Sequence, residues 1–172
     1  MKKGFTLIEL LVVIAIIAIL VAFISANFLS ARQRAKDVKK KAELVQLKNA
    51  LRLYYNDFNI YPAQSTPTTN NFSGCGNATP PSSDCATACL GQFAAGPTGC
   101  DTLYMKQLPP ASDYAWSYVQ RSAGDDFCMW ATLENGSDPD IEKSHIKCSA
   151  LCPMTTVIPD VDYPNAYALC AD

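Results

Sequence analysis

The sequence predicts an α+β fold. One long N-terminal helix, about residues 5–57, packs at its C-terminal half against an antiparallel sheet of three or four strands with disulfide-held loops. Three observations predict it. Nothing between Phe5 and Asp57 is glycine or proline, so no residue breaks a helix there. Two aromatic, alternating segments, Tyr114–Arg121 and Phe127–Leu133, flank the turn Ser122-Ala-Gly-Asp-Asp, which is a hairpin pattern. All eight cysteines fall after residue 74, in one loop-rich region.

The helix begins as an apolar run. Phe5 to Leu29 carries a single charge, Glu9. As a helix it would measure about 37 Å, enough to span a bilayer with some tilt. A cleaved secretory signal has a shorter apolar part and a small-residue cleavage site behind it, so 5–29 reads as a transmembrane or assembly helix. An ionisable group in such a helix costs about 2.5–3.5 kcal/mol at mid-bilayer, less near an end, and marks function. No base stands at helical spacing from Glu9 within the run, so its expected partner lies in another chain.

Residues 30–57 continue the helix as an amphipathic basic neck. Eight bases face Asp37, Glu43 and Asp57 there, a net of +5. Residues 58–172 carry four bases against twelve acids, a net of −8, so a near-neutral chain conceals a basic neck and an acidic head. Two apolar stripes run along the neck. Ala31, Ala35, Val38, Ala42 and Val45 are small and suit neighbouring helices or one side of an internal core. Leu44, Leu47, Leu51, Tyr54 and Phe58 are large and suit a docked sheet. The basic run Arg32–Lys41 suits nucleic acid, anionic lipid headgroups or the acidic head of a neighbour; its place just beyond the apolar run favours the last two, and no nucleic acid is required. The positive-inside count would keep the head in the cytoplasm. The cysteines oppose that and outweigh it, because eight free thiols on a small acidic head do not suit a reducing compartment. A helix of 53 residues is about 80 Å long, too long to bury in a monomer of this size, and expects a bundle.

The head starts where Asn59 and Pro62 end the helix. Residues 63–100 are rich in Ser, Thr, Asn, Gly and Pro and read as a long loop held by disulfides rather than by a core. Cys75, Cys85, Cys89, Cys100, Cys128, Cys148, Cys152 and Cys170 read as disulfides of an oxidising compartment, with 105 possible pairings. The alternative, metal half-sites at Cys85-x3-Cys89 and Cys148-x3-Cys152, lacks histidine support, since the chain has one His. The hairpin's inner face should pack on the Leu44–Phe58 stripe, with Cys128 turned toward a loop partner. After Gly136 the chain reads as irregular, with four prolines and a last short strand near Thr155–Ile158. Asn71, Asn77 and Asn135 each open a glycosylation sequon, a short and common pattern. Chemistry is thin. There is no nucleophile elbow, phosphate loop or His-rich cluster, and His145 reads as a solvated loop residue, so no enzyme is expected. Asp138, Asp140 and Glu142 follow a Gly-Ser turn; they are calcium candidates, with an exposed acidic loop as the alternative.

Gly4-Phe5-Thr6-Leu7-Ile8-Glu9-Leu10, after a short lysine-bearing leader, resembles the N-terminus of type IV pilins and of the major pseudopilins of type II secretion. Tyr61-Pro62 after a tyrosine-rich helix end, and the phrase YMKQLPP at 104–110, resemble the major pseudopilin branch. The resemblance covers 1–62 well, 104–133 in part, and neither 63–100 nor 134–172. It implies a leader, 1–4, removed after Gly4 by a prepilin peptidase; an N-methylated Phe5; and Glu9 pairing with the new N-terminal amine of a neighbouring subunit. It further implies a homo-oligomeric helical filament, partners in the pilus assembly machinery, and a precursor in the inner membrane with its head, 58–172, outside the cytoplasm. Major pseudopilins bind calcium in a head loop, which raises the standing of Asp138, Asp140 and Glu142; no other cofactor is implied. Many members carry helix breakers where this chain has Ala18 and Ala26, so its helix is expected to be more continuous. The expected function is a structural subunit of a type IV pilus. The alternatives are a major pseudopilin and, from another class, a membrane-anchored extracellular binding domain that does not polymerise.

Overall fold

The computed structural model describes residues 4–64, 68–110, 112–152 and 163–171. The leader residues Met1–Lys3 and the strand expected at Thr155–Ile158 lie outside the described residues. Helix α1 runs unbroken from Leu7 to Phe58, 52 residues, so Ala18 and Ala26 both sit inside continuous helix. Thr6 caps its start. Its end is set by Asn59, which adopts the left-handed conformation (φ 53°) and donates its N–H to the Tyr55 carbonyl at 2.8 Å.

Next come β1 (Thr68–Thr69), β2 (Ser73–Cys75), β3 (Ser83–Asp84), a one-turn helix α2 (Cys85–Ala88), β4 (Phe93–Gly96) and β5 (Gly99–Met105). Then follow β6 (Trp116–Arg121), β7 (Asp126–Thr132), helix α3 (Pro139–Cys148) and β8 (Ala166–Cys170). The main sheet is antiparallel with order β1-β6-β7-β8; β2–β3 and β4–β5 form two small hairpin sheets. The predicted hairpin is β6–β7, in register from Trp116 opposite Ala131 to Arg121 opposite Asp126. Its turn requires Gly124, whose φ is +111° and where a Cβ would collide with the Ile60 side chain.

Alternation along the strands builds two cores. Trp116, Tyr118, Phe127, Met129 and Ala131 face α1 and meet Leu44, Leu47, Leu51 and Tyr54, all four fully buried. Val119, Cys128, Trp130, Ala166, Ala168 and Cys170 face the other way and pack with Cys148 and Cys152. The sheet is therefore sandwiched between α1 and α3. The Tyr61-Pro62 phrase docks on the sheet through its carbonyls: Gln120 Nε2 donates to Tyr61 O at 2.7 Å and Tyr118 Oη to Pro62 O at 2.9 Å. In the YMKQLPP phrase, Pro109 O accepts from Trp116 Nε1 at 2.9 Å.

Three expectations are corrected. The segment 63–100 is not a loop that disulfides alone hold: Phe72, Phe93, Ala94 and Ala95 are buried in the α1-side core, with Phe93 stacked on Tyr54 at 5.3 Å. The chain after Gly136 is not irregular: α3 forms there because Asp138 caps it, accepting from Asp140 N at 2.9 Å, and Pro139 stands in its first turn. His145 lies on this helix and is half-buried, with Nε2 2.6 Å from Ala166 O, rather than in a solvated loop.

Candidate functional site

At the tip of α1, Phe5 is 84% exposed and Gly4 precedes it in open space. Glu9 closes a capping box. Its Oε2 accepts from Thr6 N at 2.9 Å and from Thr6 Oγ1 at 2.7 Å, while Thr6 Oγ1 accepts from Glu9 N at 3.3 Å. Glu9 thus has a local partner in its own chain, which the Thr6-x-x-Glu9 spacing ahead of an apolar run could have announced, but that partner brings no positive charge. From Leu7 to Ala22 every residue of α1 is exposed. On the described residues alone, no helix is long and apolar enough to cross a membrane. The apolar run of the sequence passes through 23–27, whose side chains lie outside the described set.

The small stripe Ala31, Ala35, Val38, Ala42 and Val45 is exposed and takes no part in the internal core. Below it, α1 enters the head through a collar of charges. Lys36 pairs with Glu134 at 2.9 Å, Lys39 with Asp113 at 2.5 Å, and Lys41 with both Asp138 and Asp140 at 2.8 Å. Lys40, nearly buried, donates to Thr132 O at 3.1 Å and lies 3.7 Å from Asp37. The basic run meets the acidic head of its own chain, which corrects the expectation of lipid or a neighbour's head. The acids come from two places: Asp113 stands before β6, and Glu134, Asp138 and Asp140 follow β7. The side-chain bond from Lys36 holds Glu134 below the usual carboxylate range; Lys39 does so for Asp113, and Lys41 with Lys143 for Asp140.

Asp37 was missed in the sequence. It is 1% exposed and accepts from the backbone N–H of Glu134 and of Asn135, each at 2.8 Å. The available signal was an acid inside a basic run, on the helix side that carries Leu44, Leu47 and Leu51. The calcium candidates do not fit a metal. Asp138 is a helix cap shared with Lys41, Asp140 is held by Lys41 and Lys143, and Glu142 is exposed. Among the described residues no three candidate ligands converge. All eight cysteines are paired: Cys75–Cys85, Cys89–Cys100, Cys128–Cys152 and Cys148–Cys170.

A continuous helix exposed from Leu7 to Ala22, opening on Gly-Phe-Thr-Leu-Ile-Glu and carrying one disulfide-stapled α+β head, defines a class of long-helix proteins with a prepilin-type start. Residues 1–25 match the family model of the prokaryotic N-terminal methylation motif. The chain is 41% identical over 61 residues to the type II secretion system core protein G of Vibrio cholerae, covering 36% of this chain and 42% of that protein. It is 44% identical over 81 residues to the type IV wide pilus major component PilA4 of Thermus thermophilus, covering 41% and 62%. It is 39% identical over 60 residues to the type IV major pilin PilA of Myxococcus xanthus, covering 35% and 27%. The chain therefore matches less than two thirds of the length of these relatives, and no solved structure matches it. Over part of its length the chain is thus similar to type IV pilins and to type II secretion core protein G, and its residues 1–25 match the N-terminal methylation motif.

Proposed function

We propose that this chain is a structural subunit of a type IV pilus. In this reading a prepilin peptidase cuts after Gly4, Phe5 becomes the methylated N-terminus, and 5–29 holds the precursor in the inner membrane with the head outside the cytoplasm. The assembly machinery then builds subunits into a helical homopolymer through α1. The observation that carries the reading is the prepilin-type N-terminus on a helix that is exposed at every residue from Leu7 to Ala22. Burying that surface needs neighbours: about 25 cal/mol is gained per Å² of apolar area removed from water. Cleavage supplies the cation that Glu9 lacks, a free amine on Phe5 of an adjacent subunit.

A second reading, a major pseudopilin of type II secretion, is supported by the Tyr61-Pro62 phrase and by the relatives named core protein G. The disulfide-bearing insertion 75–100, stapled by Cys75–Cys85 and Cys89–Cys100, favours an exposed pilus. A non-polymerising membrane-anchored binding domain fits worst, because a plain anchor would use Glu9 only to cap the helix with Thr6 and would leave the Gly4-Phe5 processing motif without a role.

Intact mass of the native product tests processing. A chain starting at Phe5, with or without one methyl, and lighter by eight hydrogens is expected; a final product retaining Gly4 would return the anchor reading to the front. Glu9→Ala is expected to leave the precursor inserted and cleaved but to abolish filaments. Gold labelling of the wild type then separates fibres beyond the cell surface, a pilus, from fibres confined beneath it, a pseudopilus.

A further inference from the structure

Among the described residues strand β8 is an edge of the main sheet and pairs only with β7. The outward peptide groups of an edge strand are a template for a strand of another molecule. Here two of them are taken by side chains of α3. Ala168 N donates to Ser144 Oγ at 3.1 Å, and His145 Nε2 lies 2.6 Å from Ala166 O, so Nε2 carries the proton and donates. Ser144 Oγ passes its own proton to Ile141 O at 2.7 Å, which leaves the oxygen aimed at the strand as an acceptor. Ser144 is 7% exposed. Two disulfides strap the helix in place: Cys148–Cys170 ties its last turn to β8, and Cys128–Cys152 ties the residues just beyond it to β7. A helix that merely filled space would need only its apolar side, Ile141 and Cys148. This one spends two adjacent polar residues on the main chain of the strand.

We propose that α3 is an edge guard, a disulfide-strapped helix whose Ser144 and His145 occupy the open backbone groups of β8 and stop one head from pairing its sheet with another. The geometry stands by itself; the need for a guard rests on the filament reading, because heads arrayed along a fibre meet at millimolar effective concentration. A second copy of this chain is the partner kept off.

The test uses the full chain in detergent, so it is independent of filament assembly. Hydrogen exchange at the Ala168 amide and the infrared signature of intermolecular strands are measured for the wild type, Ser144→Ala, Ser144→Ala/His145→Ala and His145→Gln. The wild type is expected to protect the amide and show no intermolecular strands. The double variant should lose protection by about tenfold or more and associate through strands, with its disulfides intact. Ser144→Ala, which removes one hydroxyl and keeps the fold, should show the same trend more weakly. His145→Gln, which keeps a donor, should behave as the wild type. Unchanged protection in Ser144→Ala, or an exposed edge that stays unassociated at the highest concentration reached, would overturn the proposal.

Discussion

The two halves of α1 are one continuous helix in two different physical situations. Between Leu44 and Tyr54 the stripe Leu44, Leu47, Leu51 and Tyr54 is fully buried, and tertiary packing holds the helical conformation. From Leu7 to Ala22 every residue is exposed, and the described contacts are the capping box and the helix's own hydrogen bonds. The lesson is that helix and burial are separable in this chain. The first half is specified by residues that permit a helix and are apolar on all sides, which is the pattern of a segment completed by lipid or by other helices. The second is specified by one stripe.

That contrast can be broken from the buried side. Leu47→Ala removes a side chain with no exposure from the centre of the α1–sheet contact and should destabilise the head by about 3–5 kcal/mol. Denaturant unfolding followed by tryptophan fluorescence measures it, and a cost near zero would mean the sheet does not rest on α1. Asp37→Ala acts at the border between the halves. It strips two backbone N–H groups and leaves Lys40 with a weaker environment, at about 2–3 kcal/mol. The protection of the Glu134 and Asn135 amides should fall with it; retained protection would show that another group holds the loop.

Acid sharpens the border in a different way. Glu134, Asp113 and Asp140 all titrate below their unfolded values because of the neck lysines. Their contribution is therefore complete above the ordinary carboxylate range and is lost as pH falls through the depressed folded values. Melting temperature should drop in that acid window, less steeply in Asp140→Asn and less steeply in high salt. These groups are solvent-exposed, so the slope is small. The smallest effect belongs to the exposed stripe. Val38→Ser with Val45→Ser should shift the stability of the single chain by no more than about 0.5 kcal/mol while reducing filament yield; a large loss of stability would place these residues in an internal core after all.

What could be read in advance follows from how local the cause is. The absence of glycine and proline over 5–57 announces α1, and alternation with a glycine turn announces β6–β7, because both signals lie within the element. Disulfide pairing is not local, and spacing does not order 105 possibilities. Helix α3 was legible in principle. Asp138-Pro139 is a cap followed by a first-turn proline, and acids lead while His145 and Lys147 end the helix; the same acids also suit an oxygen-ligand loop, which hid the capping pattern. Strand β7 held a second clue. FCMWAT is buried on both faces, so a covering element had to exist on the side away from α1. The charge split between neck and head was visible, but sequence alone could not tell a partner in the same chain from one in the next. The prepilin-type N-terminus needed no structure at all, since residues 1–25 match the methylation motif by sequence alone.

The four disulfides close spans of 10, 11, 24 and 22 residues, each worth about 3 kcal/mol by loop-closure entropy, and every one lies within 75–170. None reaches α1. A tensile pull along the helix axis would thus pass into the head through noncovalent joints, with Asp37 on Glu134 and Asn135 engaged at the near end and the Leu44–Tyr54 face behind it. Under shear the helix can peel from the sheet while the backbone at Asn59 still tethers it to a covalently closed head. The crosslinks set how the peeled head survives; the force at which the helix comes away is set by packing and by one buried carboxylate.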